Sequence, residues 1–448
     1  MIRRWVIAGS RWAATIVLGA VLVPCPALAA GARPSAEEAR SLAWLRAQIT
    51  PNALVSAPDP QRRGLVLSYA PVAGPPGPLH RRAFTYDQAL AAIAFASVGD
   101  FATSSRVLAA LARVQRKDGS FWFAYNVENT WPEDGDHDMA IVRSGAMAWA
   151  GYAFAFYLER SPAPGDDPRR KREREAFTEA ARRAADYLLG LRVREPEALA
   201  HGLVRGGQAA VTLGTDAAGK TAVESYDDSP IRWVSTEHNL GTFFFLSALG
   251  RVTGDASYRT AAGQIGRRVL AALWQEDLGQ FAQGVLADGK IDRARALDCA
   301  SWGALFLLAM GERARAERAL ATAERIYPAH DGPIAGHRPY HDRLVYLDAR
   351  TSGLFFPGRP PLRWEAVPIV WSEGSLGVAL AQARLGHLAR ARRIASEMLK
   401  LRQGDGIRLA SRKLPYEMDD SASIAGTAWQ VLVERALLEP RAPGLWSR

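Results

Sequence analysis

Four acidic residues stand at the starts of apolar segments that are far apart in the chain: Asp87, Glu237, Asp298 and Glu373. Hydrolysis of a glycosidic bond needs two carboxyl groups in different protonation states, one to protonate the leaving oxygen and one to activate water or attack carbon. Crowding and apolar walls raise carboxyl pKa values, whereas helix N-termini favour the ionised form. If folding brings these residues together, their types predict acid/base hydrolysis.

A structural role is the open alternative at the same four positions. Asp and Glu are favoured in the first turn of any helix, where they meet unpaired backbone N–H groups and the positive end of the helix dipole. Capping is less suited to all four residues together, because the segments that they begin avoid charge over the rest of their length.

Polar and aromatic residues near these carboxyl groups are candidate substrate contacts. Aromatic rings suit the apolar faces of sugar rings, and a few placed polar groups fix a ligand's orientation. The candidates are Tyr86, Tyr125, Trp131, Trp233, His238, Asn239, Trp302, Trp371 and Asp420. Loop packing and framework hydrogen bonds are the alternatives for these side chains. Residues 133–138 are rich in carboxylates but lack the Glu at loop position twelve of an EF-hand, so we expect no metal and no cofactor.

The first thirty residues predict a secretory signal peptide. Three arginines precede an apolar run at 13–23, and small residues follow from Ala27 to Ala30. The run is too short for a confident membrane span. We therefore expect an exported protein, periplasmic or extracellular, with one mature domain over 31–448. Removal of the signal peptide leaves Cys299 as the only cysteine, which excludes an intrachain disulfide and favours a buried apolar role.

The chain has 448 residues, 48% hydrophobic residues and a formal net charge of +10. Arginine-rich runs such as 169–172 and 390–393 are interpreted first as solvated helix faces and second as attraction for an anionic polymer. No nucleic-acid-binding motif accompanies them. We expect a monomer whose partner is a poly- or oligosaccharide.

Apolar and amphipathic segments with helical periodicity alternate along the chain. Segments that are apolar on every side predict buried helices, and segments with one apolar stripe predict surface helices. The predicted helices cover residues 35–49, 84–97, 101–114, 141–158, 169–191, 240–249, 258–273, 297–310, a segment ending at 326, 374–385, 388–401 and 421–438.

The loops that connect these helices differ in length in a regular way. Turns from a buried helix to the following surface helix are short, whereas loops back to the next buried helix are long. All long loops, with a β-hairpin predicted over 280–291, therefore lie at one end. The pattern predicts an all-α protein, an (α/α)6 barrel of six helical hairpins. Six polar helix starts then surround one mouth: Tyr86-Asp87, Arg143-Ser144, Glu237 to Asn239, Asp298, Ser372-Glu373 and Asp419 to Ser421.

Five short motifs resemble the six-hairpin glycosidases, which are secreted or periplasmic bacterial proteins with an (α/α)6 toroid. The motifs are TYDQA at 85–89, STEHN at 235–239, ALD at 296–298, WSEGS at 371–375 and GTAW at 426–429. The resemblance spans nearly the whole mature chain and implies hydrolysis of a poly- or oligosaccharide. It implies that Glu237 and Glu373 are the working pair, with Asp87 and Asp298 in support. The chain departs from the pattern at Gly241 and Thr242, where an acidic or aromatic residue is expected.

Three functions remain open at this stage. The first is an inverting glycoside hydrolase, for which a carboxyl separation of about 6.5 to 9.5 Å is expected, against about 5 Å for a retaining enzyme. The second is a polysaccharide lyase with Tyr86 or His238 as base and an arginine that neutralises a uronate. The third is a non-catalytic glycan-binding or assembly protein that keeps the toroid. A terpenoid-cyclase-like toroid is disfavoured, because no Asp-rich metal motif lies on a buried helix.

Overall fold

The computed structural model describes residues 34–70, 79, 81–132, 139–215, 221–346, 353, 361–415, 417–442 and 444–446, with backbone alone over 212–215 and 221–224. These residues belong to one compact unit, Arg33–Arg448. The predicted signal peptide and the acidic loop 133–138 lie outside the described residues, so both remain sequence-based predictions.

Twelve α-helices lie in the described part of the chain, and they form two concentric rings. The inner ring is α2 (Thr85–Ser97), α4 (Ser144–Arg160), α6 (Thr236–Thr253), α8 (Asp298–Met310), α10 (Ser372–Leu385) and α12 (Ile424–Leu438). The outer ring is α1 (Ala36–Ala47), α3 (Phe101–Arg113), α5 (Pro168–Gly190), α7 (Ala256–Leu273), α9 (Arg313–Ile326) and α11 (Leu388–Met398). The predicted all-α, (α/α)6 architecture is confirmed.

Side-chain patterning determines which ring a helix joins. Helix α2 is buried without interruption from Asp87 to Ala96, as its apolar sequence predicts. Helix α11 buries only Ala391, Ala395 and Met398, which lie on one stripe at helical spacing. A helix that is apolar on all sides needs packing neighbours on every side. A helix with one apolar stripe needs neighbours on that side alone.

Contacts between neighbouring helices close the inner ring. Each inner helix packs on the next, α12 packs back on α2, and α1 packs on α12. The last contact contains a buried ion pair between the first and last helices, in which Nη2 of Arg435 donates to Oε2 of Glu38 at 2.7 Å. The first helix therefore supplies the outer partner of the last inner helix.

The two ends of the barrel are built differently. At one end, short turns join inner to outer helices, and Gly311 and Gly386 end α8 and α10 in the left-handed conformation that favours glycine. The opposite end carries the long loops and small antiparallel sheets. None of the described helices has the length and apolar content needed to cross a membrane.

The strands at the long-loop end are mostly two to four residues long. Their bounds are β1 (Tyr69–Ala70), β2 (Arg82–Phe84), β3 (Ala124–Asn126), β4 (Val142–Arg143), β5 (Gly207–Thr215), β6 (Thr221–Ile231), β7 (Val234–Ser235), β8 (Trp274–Gln275), β9 (Gln280–Phe281), β10 (Gly284–Val285), β11 (Ile291–Asp292), β12 (Pro328–Asp331), β13 (Ile334–His337), β14 (Arg402–Gln403), β15 (Gly406–Arg408) and β16 (Ala422–Ser423). Two short 3-10 turns, Trp364–Ala366 and Leu399–Leu401, complete the elements.

Several strands position the starts of inner helices. Strands β2, β4, β7 and β16 lead directly into α2, α4, α6 and α12. Strands β10 and β11 pair as the predicted hairpin, with Val285 opposite Ile291. The longer pairing of β5 with β6 is not predicted by the sequence, because irregularities in its register, including one between Gln208 and Ala210, break the alternation that indicates a strand.

Candidate active site

A cavity of about 360 Å³ opens where the inner helices begin. All six inner helices contribute to its wall, because the long loops place all six N-terminal turns at the same end. The contributing helix residues are Tyr86, Asp87, Gly145, Ala146, Trp149, Glu237, His238, Asp298, Trp302, Glu373 and Ala425. The four carboxyl groups named from the sequence therefore come together in one cavity.

These carboxyl groups do not cap the helices that they begin. Helices α2, α8 and α10 have no side-chain cap hydrogen bond. Helix α6 is capped by Ser235, whose hydroxyl accepts from the backbone N–H of His238 at 3.4 Å. One oxygen of Asp298, Oδ1, has no hydrogen-bond partner in the described part of the chain. The carboxyl groups are thus held in the cavity wall without the bonds that a capping role requires.

Burial makes the four carboxyl groups hard to ionise. It raises the pKa of Asp87 and of Glu237 to about 7. Burial, and then the charges of Glu237 and Glu373, raise the pKa of Asp298 well above its ordinary value. The pKa of Glu373 rises to about 8, mainly through burial and further through the charges of Asp87 and Glu237. The cavity thus holds carboxyl groups that titrate near and above neutral pH.

One of these carboxyl groups is held by a fixed hydroxyl. The Tyr86 hydroxyl donates a hydrogen bond to Oε1 of Glu373. Nε1–H of Trp429 donates to the Tyr86 oxygen at 2.9 Å, which directs the tyrosine proton towards Glu373. Burial and the charge of Glu373 raise the pKa of Tyr86 well above 10, so the hydroxyl remains a donor. The bond to Tyr86 opposes the rise in the pKa of Glu373.

His238 lies in the wall as a neutral imidazole. Its Nδ1 is 2.8 Å from the Ser144 hydroxyl. Burial, followed by the positive charge of Arg143, lowers its pKa to about 3. Gly145 makes room for the ring, since a Cβ at that position would lie 2.5 Å from Cδ2 of His238. Trp233 packs against the imidazole with 5.5 Å between ring centroids.

Tryptophans form the floor of the cavity. Trp149 and Trp302 line it, and Trp302 stacks on Trp429 with ring centroids 5.5 Å apart. Trp446, in the segment after α12, enters the barrel and lies 4.9 Å from Trp149 and 5.0 Å from Trp302 between ring centroids. A segment distant in sequence from the carboxyl groups therefore supports the floor beneath them.

The structure divides the candidate site residues into two groups. Those that line the cavity are Tyr86, Asp87, Glu237, His238, Asp298, Trp302, Trp371 and Glu373. Those that lie outside its lining are Tyr125, Trp131, Trp233, Asn239 and Asp420. A substrate contact by any member of the second group stays a prediction.

Residues outside the lining have other contacts or exposure. Asn239 follows His238 in α6 but is turned about 100° around the helix, and its amide bonds to the backbone of Val204 at 2.8 and 3.0 Å. Tyr125 is buried and donates to the carbonyl of Val114. Trp131 is 43% exposed.

Other cavity residues were not named as substrate contacts from the sequence. They are Tyr69, Phe84, Phe123, Arg143, Trp149, Leu409 and Met418. One sequence signal indicated Arg143: like the acidic residues, it lies at the start of a predicted buried helix. Cys299 is buried and free, as expected. Within the described residues, no group of three or more His, Cys, Asp or Glu side chains is placed to hold a metal ion.

No protein-family profile matches this chain, and no curated protein matches its sequence.

Solved structures of similar fold cover most of the chain at low sequence identity. A D-mannose isomerase superposes with a TM-score of 0.56 at 11% identity, over 91% of this chain and 100% of its own. A family 63 mannosylglycerate hydrolase from Thermus thermophilus gives 0.56 at 15% identity, over 91% and 100%. A family 76 glycoside hydrolase from a bovine Bacteroides thetaiotaomicron strain gives 0.54 at 9% identity, over 91% and 78%. The protein therefore has the six-hairpin, (α/α)6 toroid fold that is found in carbohydrate-active enzymes.

Proposed function

We propose that this protein is an exported glycoside hydrolase that cleaves a poly- or oligosaccharide by carboxylate acid/base catalysis. The observation that carries the proposal is the convergence of four carboxyl groups, from α2, α6, α8 and α10, in one cavity. Asp87 and Glu373 are buried there, and Glu237 and Asp298 are half-buried. Their raised pKa values allow a protonated and an ionised carboxyl group to coexist near neutral pH, which glycosidic hydrolysis requires.

Glu373 is suited to the role of general acid. With a pKa of about 8, it is mostly protonated at neutral pH. Tyr86 donates to Oε1, which leaves Oε2 to carry the proton towards a leaving oxygen. An acid with a pKa near the working pH transfers its proton efficiently in the transition state.

Glu237 is suited to the role of general base. Its pKa of about 7 makes the ionised form available at neutral pH. Asp298 has a more strongly raised pKa, partly because of the charge of Glu237. A protonated Asp298 beside an ionised Glu237 avoids two adjacent negative charges. Asp87 supports the same site, and inversion at the anomeric carbon is the stereochemical outcome that we expect.

A glycan panel with product analysis tests the function. We expect the protein lacking residues 1–30 to release shorter saccharides from at least one glycan, and NMR of the first-formed anomer to show inversion. Glu237→Gln and Glu373→Gln should each lower kcat on the order of 10²- to 10⁴-fold. Glu159→Gln, which changes an exposed surface residue, serves as the control. Full activity of both cavity variants would overturn the assignment.

The same assays distinguish the alternatives. A lyase would release an unsaturated uronate that absorbs ultraviolet light, but the pKa of His238, at about 3, and that of Tyr86, well above 10, are poorly matched to a base. Interconversion of free monosaccharides without cleavage would indicate an isomerase. Glycan binding without any turnover would indicate a binding or assembly protein.

A further inference from the structure

Arg143 is the one cationic side chain among the described residues that line the cavity. It ends β4 and directly precedes α4, so it stands at the mouth of the barrel beside the helix starts that carry the carboxyl groups. Its charge acts on the neighbouring imidazole of His238. A fixed positive charge is therefore built into a wall that is otherwise acidic and aromatic.

The backbone holds this guanidinium by one nitrogen. Nη1 of Arg143 donates to the carbonyl oxygens of Val142 at 3.1 Å, Gln208 at 3.3 Å and Ala209 at 2.8 Å. Ala209 has a left-handed backbone with φ of 66°, a conformation that is unfavourable for a non-glycine residue. It lies at an irregularity in the pairing of β5 with β6. The local strand geometry thus presents carbonyl oxygens to Arg143.

Nε and Nη2 of Arg143 lack the partners that Nη1 has among the described residues. Throughout the part of the chain that the structure describes, Nε and Nη2 form no hydrogen bond, and no carboxylate forms an ion pair with this side chain. Nearby arginines differ: Arg205, outside the cavity, pairs with Glu195 at 2.9 Å. The side chain is half-buried, and an anionic ligand would supply the counter-ion that the described residues do not provide.

We infer that Arg143 binds the carboxylate of the substrate, and that the glycan cleaved in this cavity carries a uronic acid in the subsite beside His238. The inference rests on the proposed hydrolase function. A planar carboxylate matches the paired Nε and Nη2 donors of an arginine, which bind it in a bidentate manner. The net charge of +10 falls to +7 without the three arginines of residues 1–30, and this positive charge would also attract an anionic polymer to the mouth.

A matched pair of substrates tests this subsite. The kcat/KM for uronate-containing oligosaccharides is compared with that for the same oligosaccharides after reduction of their carboxyl groups to neutral sugars. We expect the wild type to prefer the acidic form. Arg143→Met should lower the ratio of acidic to neutral kcat/KM by about 10- to 100-fold, the value of a hydrogen-bonded charge. Arg143→Lys should restore part of the ratio, because it keeps the charge but lacks the planar donor pair.

Controls separate a binding role from a structural one. Arg205→Met, at an arginine outside the cavity, should leave the substrate ratio unchanged. Calorimetry with the Glu373→Gln variant should show binding of the uronate-containing oligosaccharide. Adding Arg143→Met to this variant should weaken that binding. An equal loss of kcat/KM on both substrates in Arg143→Met would show a structural role for this residue and overturn the inference. A wild type that prefers the neutral substrate, or a sulfate ester, would also overturn it. Cleavage of no glycan of any kind would instead contradict the proposed function.

Discussion

The contact between the Tyr86 hydroxyl and Glu373 sets the alkaline limit that we expect for the reaction. Hydrolysis needs an ionised Glu237, whose pKa is about 7, and a protonated Glu373, whose pKa is about 8. We predict a bell-shaped pH profile of kcat/KM with its maximum between about 7 and 8, because the base is lost below this range and the acid above it.

Replacing Tyr86 by Phe should move only one side of that profile. The hydrogen bond from Tyr86 lowers the pKa of Glu373, so its removal should shift the alkaline limb to higher pH and leave the acid limb in place. Tyr327→Phe is the control, because Tyr327 is a buried tyrosine outside the cavity lining whose hydroxyl donates to Gln280. An alkaline limb that stays in place or moves to lower pH would contradict the proposed acid.

The buried Glu373 should also reduce stability at high pH. Its folded-state pKa of about 8 lies above the ordinary unfolded value of about 4.3. The folded state therefore binds more protons between these values, and its stability falls as pH rises through that window. Glu373→Gln removes this titration, so the Tm of the variant relative to that of the wild type should be higher at pH 9 than at pH 5. The corresponding difference in the free energy of unfolding is at most about 5 kcal/mol. An equal Tm difference at both pH values would contradict this prediction.

Among the helices, the crossing of α4 and α6 positions the part of the cavity wall that contains His238. A Cβ on Gly145 would reach the imidazole of His238, and a Cβ on Gly241 would lie 3.3 Å from that of Ala148. The small residue at 241, where the resemblance leads us to expect a larger one, is therefore explained by close helix packing.

Gly145→Ala tests this crossing. Alanine normally favours a helix over glycine by about 1 kcal/mol, but here it should displace His238 and lower kcat/KM on the order of 10²-fold. Gly190→Ala is the matched control, because nothing lies within 4 Å of the added Cβ at the end of α5. Unchanged activity in Gly145→Ala, measured on the glycan that the wild type cleaves, would show that the imidazole position is unimportant.

Helix bounds show where local pattern succeeds and where it fails. The predicted run 240–249, with Glu237 to Asn239 as its polar start, is observed as the helix Thr236–Thr253. The start is predicted, whereas the end is missed by four residues, because polar Arg251 and Thr253 interrupt the apolar pattern before Gly254 ends the helix in the left-handed conformation. Outer helices such as α11 are predicted closely, since a single apolar stripe indicates both the element and its buried face.

For the whole molecule, the buried ion pair between Glu38 and Arg435 closes the ring. Glu38→Ala leaves the buried Arg435 with Glu439, at 3.4 Å, as a carboxylate partner, so we predict a loss of about 3 kcal/mol in the free energy of unfolding, at the lower end for a broken buried pair. The exposed pair of Glu159 and Arg251 is the control, for which Glu159→Ala should cost less than about 1 kcal/mol. Denaturant unfolding measures both variants, and equal losses would show that ring closure does not depend on this pair.

The sequence by itself determined the alternation of inner and outer helices, the barrel, and the end at which Asp87, Glu237, Asp298 and Glu373 stand. Helix period, cap residues and loop lengths are local properties, so they can be recognised without knowledge of distant neighbours. Only the tertiary structure decided that His238 faces the cavity while Asn239 binds the backbone, and that Trp446 supports the floor. It also decided that Arg143 has no carboxylate partner among the residues that the structure describes. The raised carboxyl pKa values are likewise decided by the tertiary structure, because they depend on burial and on charges brought together from separate helices.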